Sequence, residues 1–215
     1  MAWPQKTNGV LTSAGLSVST PWASGSKRRV DHAGGLEGKE LLVADGSCPH
    51  IRELLATCRV PVLWLTGQQD PLIVVGRALA QRRAEGTPVQ TLHWVSHGAP
   101  GAVFVGPKKI NTTALLNAQQ ELAAWQLKTI NLWSCWTGSD QDFVRVLEGI
   151  SGASVWASSG ILGRQTDGSS HWQLTNALTT KRLALPINHS QQLGWNYQLG
   201  GFSSYTPISK ADPFK

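Results

Sequence analysis

Charge is scarce in this chain. Charged residues make up 15% of its 215 residues, against about a quarter in typical globular domains. The formal net charge is +6, and part of that excess lies in two short basic runs, at residues 27–29 and 108–109. No RNA- or DNA-recognition motif accompanies these runs, and short basic runs are usually solvated loops. A nucleic-acid partner is therefore not expected.

Long apolar runs are also absent. No stretch reaches the roughly 20 apolar residues that a membrane-spanning helix needs, so no membrane span is expected. Residues 1–6 lack the apolar stretch of a secretory signal, and these features leave the compartment undefined. The hydrophobic content of 41% is enough to build the core of one domain of ordinary size.

Motifs for metals and common cofactors are missing as well. The three cysteines, Cys48, Cys58 and Cys135, form no CxxC, and the histidines show no ligand spacing. P-loop, GxGxxG, GxSxG and HExxH patterns do not occur. We therefore predict neither a metal nor a cofactor. Cys48 and Cys58 could pair in an oxidising compartment, which would leave Cys135 as the odd thiol; equally, all three could be reduced.

The chain divides into three parts by composition. Residues 1–38 are rich in Ser, Gly, Thr and Lys and predict an irregular arm. Residues 39–176 alternate short apolar runs with helical patterns, which predicts an α/β domain with a mostly parallel sheet and helices on both faces. The last of six expected strands covers residues 171–174. Residues 177–215 predict an irregular tail whose aromatic side chains dock on this domain or on a partner.

Tryptophan is abundant where tyrosine is rare, at ten against two. Four of the tryptophans, Trp64, Trp94, Trp133 and Trp156, lie inside apolar runs and are predicted to fill the core. Trp136 and Trp172 fit either a buried or an exposed position.

Two apolar runs end in side chains that can do chemistry. Residues 91–98 end in His97 and Gly98, and residues 129–138 pass through Cys135 to a glycine. If these are neighbouring parallel strands, their ends lie on the order of 5 Å apart at the carboxyl edge of the sheet. A thiol beside an imidazole is the minimal apparatus of a cysteine nucleophile with a general base.

The two strand ends also offer a site that could stabilise a developing negative charge. The amides of Gly98 and Cys135 could form an oxyanion hole, and an imidazolium at His97 would lower the pKa of the thiol. The opposite interpretation makes His97 structural and Cys135 a small core residue, with the flanking Trp133 and Trp136 burying the sulfur and raising its pKa.

The two strand ends carry a recognisable pattern. His-Gly at residues 97–98 and Ser-Cys-x-Thr-Gly at residues 134–138 resemble the caspase-like cysteine peptidases, the metacaspase branch especially. Residues 40–175, with Ser-His-Gly-x-Pro-Gly at residues 96–101, also resemble a bacterial domain family of unknown function found at the front of large secreted adhesin-like proteins. These resemblances imply a caspase-like fold, a His97–Cys135 dyad and an extracellular or cell-surface setting.

The chain departs from the metacaspase pattern in one position. Metacaspases carry an acidic residue two positions before the cysteine, which helps to select a basic side chain, whereas this chain has Trp133 there. Asp45, at the end of the first predicted strand, could line such a pocket together with Trp133, although an aspartate after a strand is often a helix cap.

Two functions follow as hypotheses. The first is a caspase-like cysteine peptidase acting on a peptide or protein, with Cys135 as nucleophile and His97 as general acid and base. The second is a non-catalytic module of the same fold, a structural or assembly subunit that binds protein partners through residues 1–38 and 177–215.

Overall fold

The computed structural model describes residues 38–176 and 183–200. Most of the predicted N-terminal arm, residues 1–37, lies outside the described residues. The same holds for residues 177–182 and 201–215 of the predicted tail.

The described residues form ten strands and six α-helices, with two single 3₁₀ turns. The strands are β1 (Glu40–Asp45), β2 (Val62–Leu65), β3 (Thr91–Val95), β4 (Gly98–Ala99), β5 (Ala102–Val105), β6 (Lys108–Asn111), β7 (Thr129–Trp133), β8 (Ser154–Ala157), β9 (Gly163–Arg164) and β10 (Ser170–His171). The helices are α1 (Ile51–Leu54), α2 (Pro71–Ala84), α3 (Thr112–Asn117), α4 (Gln119–Ala123), α5 (Gln141–Ser151) and α6 (His189–Gly194).

Five parallel strands make the central sheet, in the order β2-β1-β3-β7-β8. The predicted α/β class with a mostly parallel sheet flanked by helices is confirmed. The strands are nearly continuous apolar runs because both faces of a parallel sheet are buried. β3 lies in the middle, so its carboxyl end is enclosed by neighbours on both sides.

One face of the sheet is covered by α2 to α5. Alternate strand residues point to this face, and they pack with the apolar sides of the helices in a single core. Its members include Leu41, Val43, Leu92, Trp94, Ile130, Leu132, Val75, Leu79, Leu115, Leu122, Phe143 and Leu147.

The opposite face is covered by α1 and by residues 183–200. The strand residues of opposite parity supply Leu42, Val95 and Trp133, and these pack with Trp195 and Leu199. Residues 183–200, which belong to the predicted aromatic tail, therefore dock on the domain's own core.

Local signals place the two longest helices. The Asp70 carboxylate accepts from the Leu72 amide at 2.9 Å and Pro71 opens α2, as the Asp-Pro pair predicts. Asp140 caps α5 in the same way, and Gly152 ends that helix in the left-handed region at φ 69°.

A three-stranded antiparallel sheet, β4-β5-β6, lies between β3 and β7 in the chain. The strand predicted at residues 171–174 is shorter than expected: β10 covers only Ser170–His171 and pairs antiparallel with β9, outside the central sheet. Beyond it, Thr175 forms an isolated antiparallel bridge with Ala157 at the end of β8.

The tryptophans divide as the apolar runs predict, with one exception. Trp94, Trp133 and Trp156 are buried, whereas Trp64 is half-buried beneath the guanidinium of Arg52. Trp136 is 43% exposed. In the described ranges no helix has the length and apolar character needed to cross a membrane.

A matched pair of glycine substitutions tests the close approach of the ends of β3 and β7. A Cβ at Gly98 would lie 2.5 Å from the Cys135 carbonyl oxygen and 2.6 Å from Thr137 Oγ1. Gly98→Ala should therefore lower the free energy of unfolding by about 1–3 kcal/mol. Gly149, in α5, meets nothing within 4 Å, so Gly149→Ala should raise it by about 0.5–1 kcal/mol. Urea denaturation measures both, and equal stabilities of the two variants would contradict the packing described here.

Candidate active site

Neighbouring strands bring the predicted dyad to one edge of the sheet. β3 and β7 pair in parallel with Val95 opposite Trp133, and His97 and Cys135 each follow two residues later. Cys135 belongs to the core on the α1 face of the sheet, and His97 contacts Cys48 of the same core. Cys135 is 0% and His97 1% exposed. The two side chains thus lie in one buried layer at the carboxyl edge.

Two backbone amides meet at one oxygen beside the thiol. The amides of Gly98 and Cys135 donate to the Leu199 carbonyl oxygen at 3.3 and 3.2 Å. Amides that converge on one point can stabilise an oxygen as it gains negative charge. These are the two amides that the sequence suggests for an oxyanion hole. Their acceptor, Leu199, was not predicted.

The thiol of Cys135 is held by the backbone of Leu162. Cys135 Sγ accepts from the Leu162 amide at 3.1 Å and donates to the Leu162 carbonyl at 3.6 Å. Burial raises the pKa of the thiol to about 12, and backbone hydrogen bonds of Leu162 and Leu199 offset this only in part. The sequence left two outcomes open, a pKa lowered by His97 or a pKa raised by burial; in the closed site desolvation of the thiolate has the larger effect.

The His97 imidazole lies against a second thiol. Its Nε2 is 3.0 Å from Cys48 Sγ. Burial lowers the pKa of His97 because the imidazolium loses its hydration. The charge of Asp45 and backbone hydrogen bonds with Leu199 and Gly200 act in the opposite direction. The ring therefore lies against both Cys48 and the backbone of Leu199 and Gly200.

Asp45 is buried rather than set in an open pocket. Its Oδ1 accepts from the amide and hydroxyl of Ser47 at 2.9 and 2.6 Å. Its Oδ2 accepts from the Gly106 amide, between β5 and β6, at 3.0 Å. The carboxylate thus fixes the loop after β1 and ties it to the antiparallel sheet, while its charge acts on the nearby imidazole.

Trp133, the other residue predicted to line a substrate pocket, points into the core. It is 0% exposed, and its indole Nε1 donates to His93 Nδ1 at 3.1 Å. The other ring nitrogen of His93 lies 3.1 Å from Glu40 Oε2. Trp133 therefore fixes the centre of the sheet. Trp136, one residue after Cys135, has a left-handed backbone (φ 63°) and an indole that is partly open to solvent.

Serine side chains fix the two strand ends to each other. Ser96 Oγ donates to the His97 carbonyl oxygen at 3.0 Å and lies 3.3 Å from Ser134 Oγ. The Trp94 indole donates to Ser96 Oγ at 3.2 Å. These bonds restrict the backbone on which the imidazole and thiol are mounted.

The segment that ends at Leu199 runs antiparallel to β9 and the residue before it. The Leu199 amide donates to the Leu162 carbonyl at 3.0 Å, and the Arg164 amide donates to the Tyr197 carbonyl at 2.8 Å. Gln198 forms an antiparallel bridge with Gly163. The segment is thus bound as an added strand next to the thiol.

Aromatic side chains anchor this segment further back. The Trp195 indole donates to the His50 carbonyl at 3.1 Å, and the Tyr197 ring stacks on the His50 ring with centroids 3.8 Å apart. Gln191 Nε2 donates to the Glu53 carbonyl at 2.6 Å. These contacts fix the register of the segment along α1.

All three cysteines are free thiols, and the described residues contain no cluster of three His, Cys, Asp or Glu side chains that could hold a metal ion.

The reactivity of Cys135 tests its closed environment. Thiolate is the reactive form, so a pKa near 12 leaves about 1 thiol in 10⁴ ionised at pH 8, against about 1 in 4 for an ordinary thiol. Iodoacetamide should modify Cys135 about 2,500-fold more slowly in the folded chain than in guanidinium. Because the pKa is raised, the rate should rise about tenfold for each pH unit between about pH 7 and 9. Peptide mass spectrometry measures the rate of modification at Cys135. Equal rates in folded and unfolded protein would show that the thiol is not enclosed.

Comparison with known proteins gives a family and no activity. The sequence matches the family described as Domain of unknown function (DUF4347) over residues 41–199. The matched range runs from β1 to Leu199 and so includes both strand ends and the docked segment. No curated protein and no solved structure matches the chain. Because the match covers most of its length, the chain belongs to this family of domains of unknown function.

Proposed function

We propose that this domain is a cysteine peptidase of the caspase-like type, in which Cys135 attacks a peptide carbonyl and His97 transfers the protons. One observation carries the proposal: the amides of Gly98 and Cys135 converge on a single carbonyl oxygen next to the thiol. A buried cysteine that only fills space needs no such pair of donors aimed at a peptide group.

The roles follow from the chemistry of acyl transfer. The Cys135 sulfur adds to the carbonyl carbon as its proton passes to His97, and the oxygen that becomes negative is held by the amides of Gly98 and Cys135. The His97 imidazolium then gives its proton to the departing amine. Water hydrolyses the thioester on Cys135, which releases the acid and restores the thiol.

Cys48 is a positioning residue in this proposal. A His97 Nε2–H that donates to Cys48 Sγ, 3.0 Å away, leaves the basic lone pair of the ring on Nδ1, where it can take the Cys135 proton, and holds the ring in one orientation. Loss of this contact should weaken catalysis through the tautomer and the rotamer of His97. It should leave the nucleophile itself in place.

The surroundings of the thiol favour an apolar residue before the scissile bond. Cys135 lies in a core with Leu162, Trp156 and Leu199. The Asp45 carboxylate, which a basic side chain would seek, already accepts hydrogen bonds at both oxygens. We therefore propose a preference for leucine-like side chains rather than for lysine or arginine.

A non-catalytic module is the second candidate, and one observation favours it. The Cys135 thiol is fully buried with a pKa near 12, which suits a core residue as well as a closed catalytic site. In this alternative the fold serves as a structural or assembly piece, with residues 1–38 and 177–215 as the predicted partner-binding regions.

Peptide cleavage separates the two candidates. With the docked segment displaced by the substitution Leu199→Asp, the chain should cleave members of a peptide library with leucine before the cut, and adding Cys135→Ala should abolish this activity. His97→Ala should lower kcat/KM by about 10²–10⁴-fold. Cys48→Ala should lower kcat and shift the pH dependence of kcat, because it releases the His97 ring. Mass spectrometry of the library gives the cut sites and the rates.

Cys58→Ala is the matched control, because the Cys58 thiol donates to the Val60 carbonyl, outside the proposed site. It should cleave like the unaltered chain. Cleavage that survives in Cys135→Ala would exclude Cys135 as the nucleophile. An absence of cleavage in the unaltered chain and in chains whose docked segment has been displaced would favour the non-catalytic module.

A further inference from the structure

The carbonyl that fills the proposed oxyanion hole belongs to the chain itself. It is the Leu199 carbonyl, part of the peptide bond between Leu199 and Gly200, and it accepts from both the Gly98 and the Cys135 amides. We infer that this bond is the substrate of the site, so that the chain cuts itself between Leu199 and Gly200. The inference rests on the peptidase function proposed above and names its substrate.

The mode of binding is that of a peptide substrate. Residues 197–199 lie extended and antiparallel to residues 162–164, with backbone bonds from the Leu199 amide to the Leu162 carbonyl and from the Arg164 amide to the Tyr197 carbonyl. Gln198 Nε2 adds a bond to the Arg164 carbonyl at 2.7 Å. Peptides commonly bind by adding a strand in this way, because backbone bonds fix the register whatever the sequence.

The side chain before the proposed cut is enclosed. Leu199 is 0% exposed and lies in the same core as Cys135, Leu162 and Trp133. An apolar side chain in a closed apolar site sets the register of the segment as well as its affinity. Leu199 is thus an apolar side chain of the kind that the apolar residues around the site favour.

The imidazole of His97 lies close to the backbone at this bond. Backbone groups of both Leu199 and Gly200 raise its pKa, as carbonyl oxygens near an imidazolium do. The ring is therefore placed at the peptide whose nitrogen must receive a proton when the bond breaks. Gly200 is itself buried, so its amine would leave within the protein rather than into bulk water.

The step balances without any group other than water. The Cys135 Sγ–H proton moves to His97 as sulfur bonds to the Leu199 carbonyl carbon. The bond from that carbon to the Gly200 nitrogen breaks, and His97 gives the proton to this nitrogen. Water then hydrolyses the thioester, which leaves a carboxylate on Leu199 and restores the thiol. A bond held in place on the same chain reacts at a high effective concentration, so a single slow turnover is sufficient.

Intact-mass measurement of the full 215-residue chain under reducing conditions is the first test. The expected result is a time-dependent cut into residues 1–199 and 200–215, at a rate independent of protein concentration. Cys135→Ala should remain whole, with circular dichroism to verify that it folds. A stable whole chain, a cut at another bond, or an equal cut in Cys135→Ala would overturn the inference.

A pair of leucine substitutions in the docked segment tests the binding mode. Leu199→Asp places a carboxylate in the apolar site and should abolish the cut because the segment no longer docks. Leu193, in α6, is 42% exposed, and Leu193→Asp should be cut at the same rate as the unaltered chain. Loss of the cut in both variants, or in neither, would count against Leu199 as the residue that fills the site.

An added peptide separates this inference from the peptidase proposal. The peptide Trp-Asn-Tyr-Gln-Leu-Gly-Gly-Phe, the sequence of residues 195–202, is supplied to the Leu199→Asp chain, whose site should be open. Cleavage after leucine in the peptide together with the self-cut in the unaltered chain supports the inference. Cleavage of the peptide while the unaltered chain stays whole overturns the self-cut and retains the peptidase. Failure of both reactions overturns both.

Discussion

The in-register pairing of β3 with β7 is the constraint on which the site depends. Val95 lies opposite Trp133, and two further residues on each strand place His97 and Cys135 in the same buried layer. A slip of one residue in either strand would send one of these side chains to the opposite face of the sheet. The register is protected because each face of both strands is packed, by α2 to α5 on one side and by α1 with residues 183–200 on the other.

Burial works against charge throughout this site. It raises the pKa of Cys135 and lowers that of His97, so the closed site favours a neutral thiol at Cys135 and a neutral imidazole at His97. Because they are buried, the amides of Gly98 and Cys135 need an acceptor within the protein, and the Leu199 carbonyl provides it. Without an acceptor, the amides of Gly98 and Cys135 would each cost about 1–3 kcal/mol as unsatisfied buried donors. Docking of the segment therefore stabilises the site with both groups neutral.

The sequence contains enough information for the sheet and for the placement of His97 and Cys135 after two neighbouring strands. Apolar runs that stop at His97 and Cys135 predict strand ends, and alternation with helices predicts the parallel order. Asp70 and Asp140 predict the starts of α2 and α5. Each of these signals is local, because strand and helix periodicity and helix caps are set by residues a few positions apart.

The remainder of the site depends on contacts between distant parts of the chain. Cys48 meets His97 across 49 positions and Leu162 meets Cys135 across 27, and no spacing rule links such pairs. Leu199 contributes a backbone carbonyl and an apolar side chain of a common type, so the sequence around it carries no mark of the role. The desolvation that raises the pKa of Cys135 likewise arises only when residues 183–200 cover the sheet.

The antiparallel contact of residues 197–199 with residues 162–164 has a consequence for association between molecules. If the segment leaves, the Leu162 carbonyl and the Arg164 amide lose their partners, and the stretch around β9 becomes an open strand edge. Such an edge accepts any extended chain that can supply matching backbone groups. The same segment of a second copy meets that requirement, so release of the segment would turn a self-contained domain into one able to exchange strands with its neighbours.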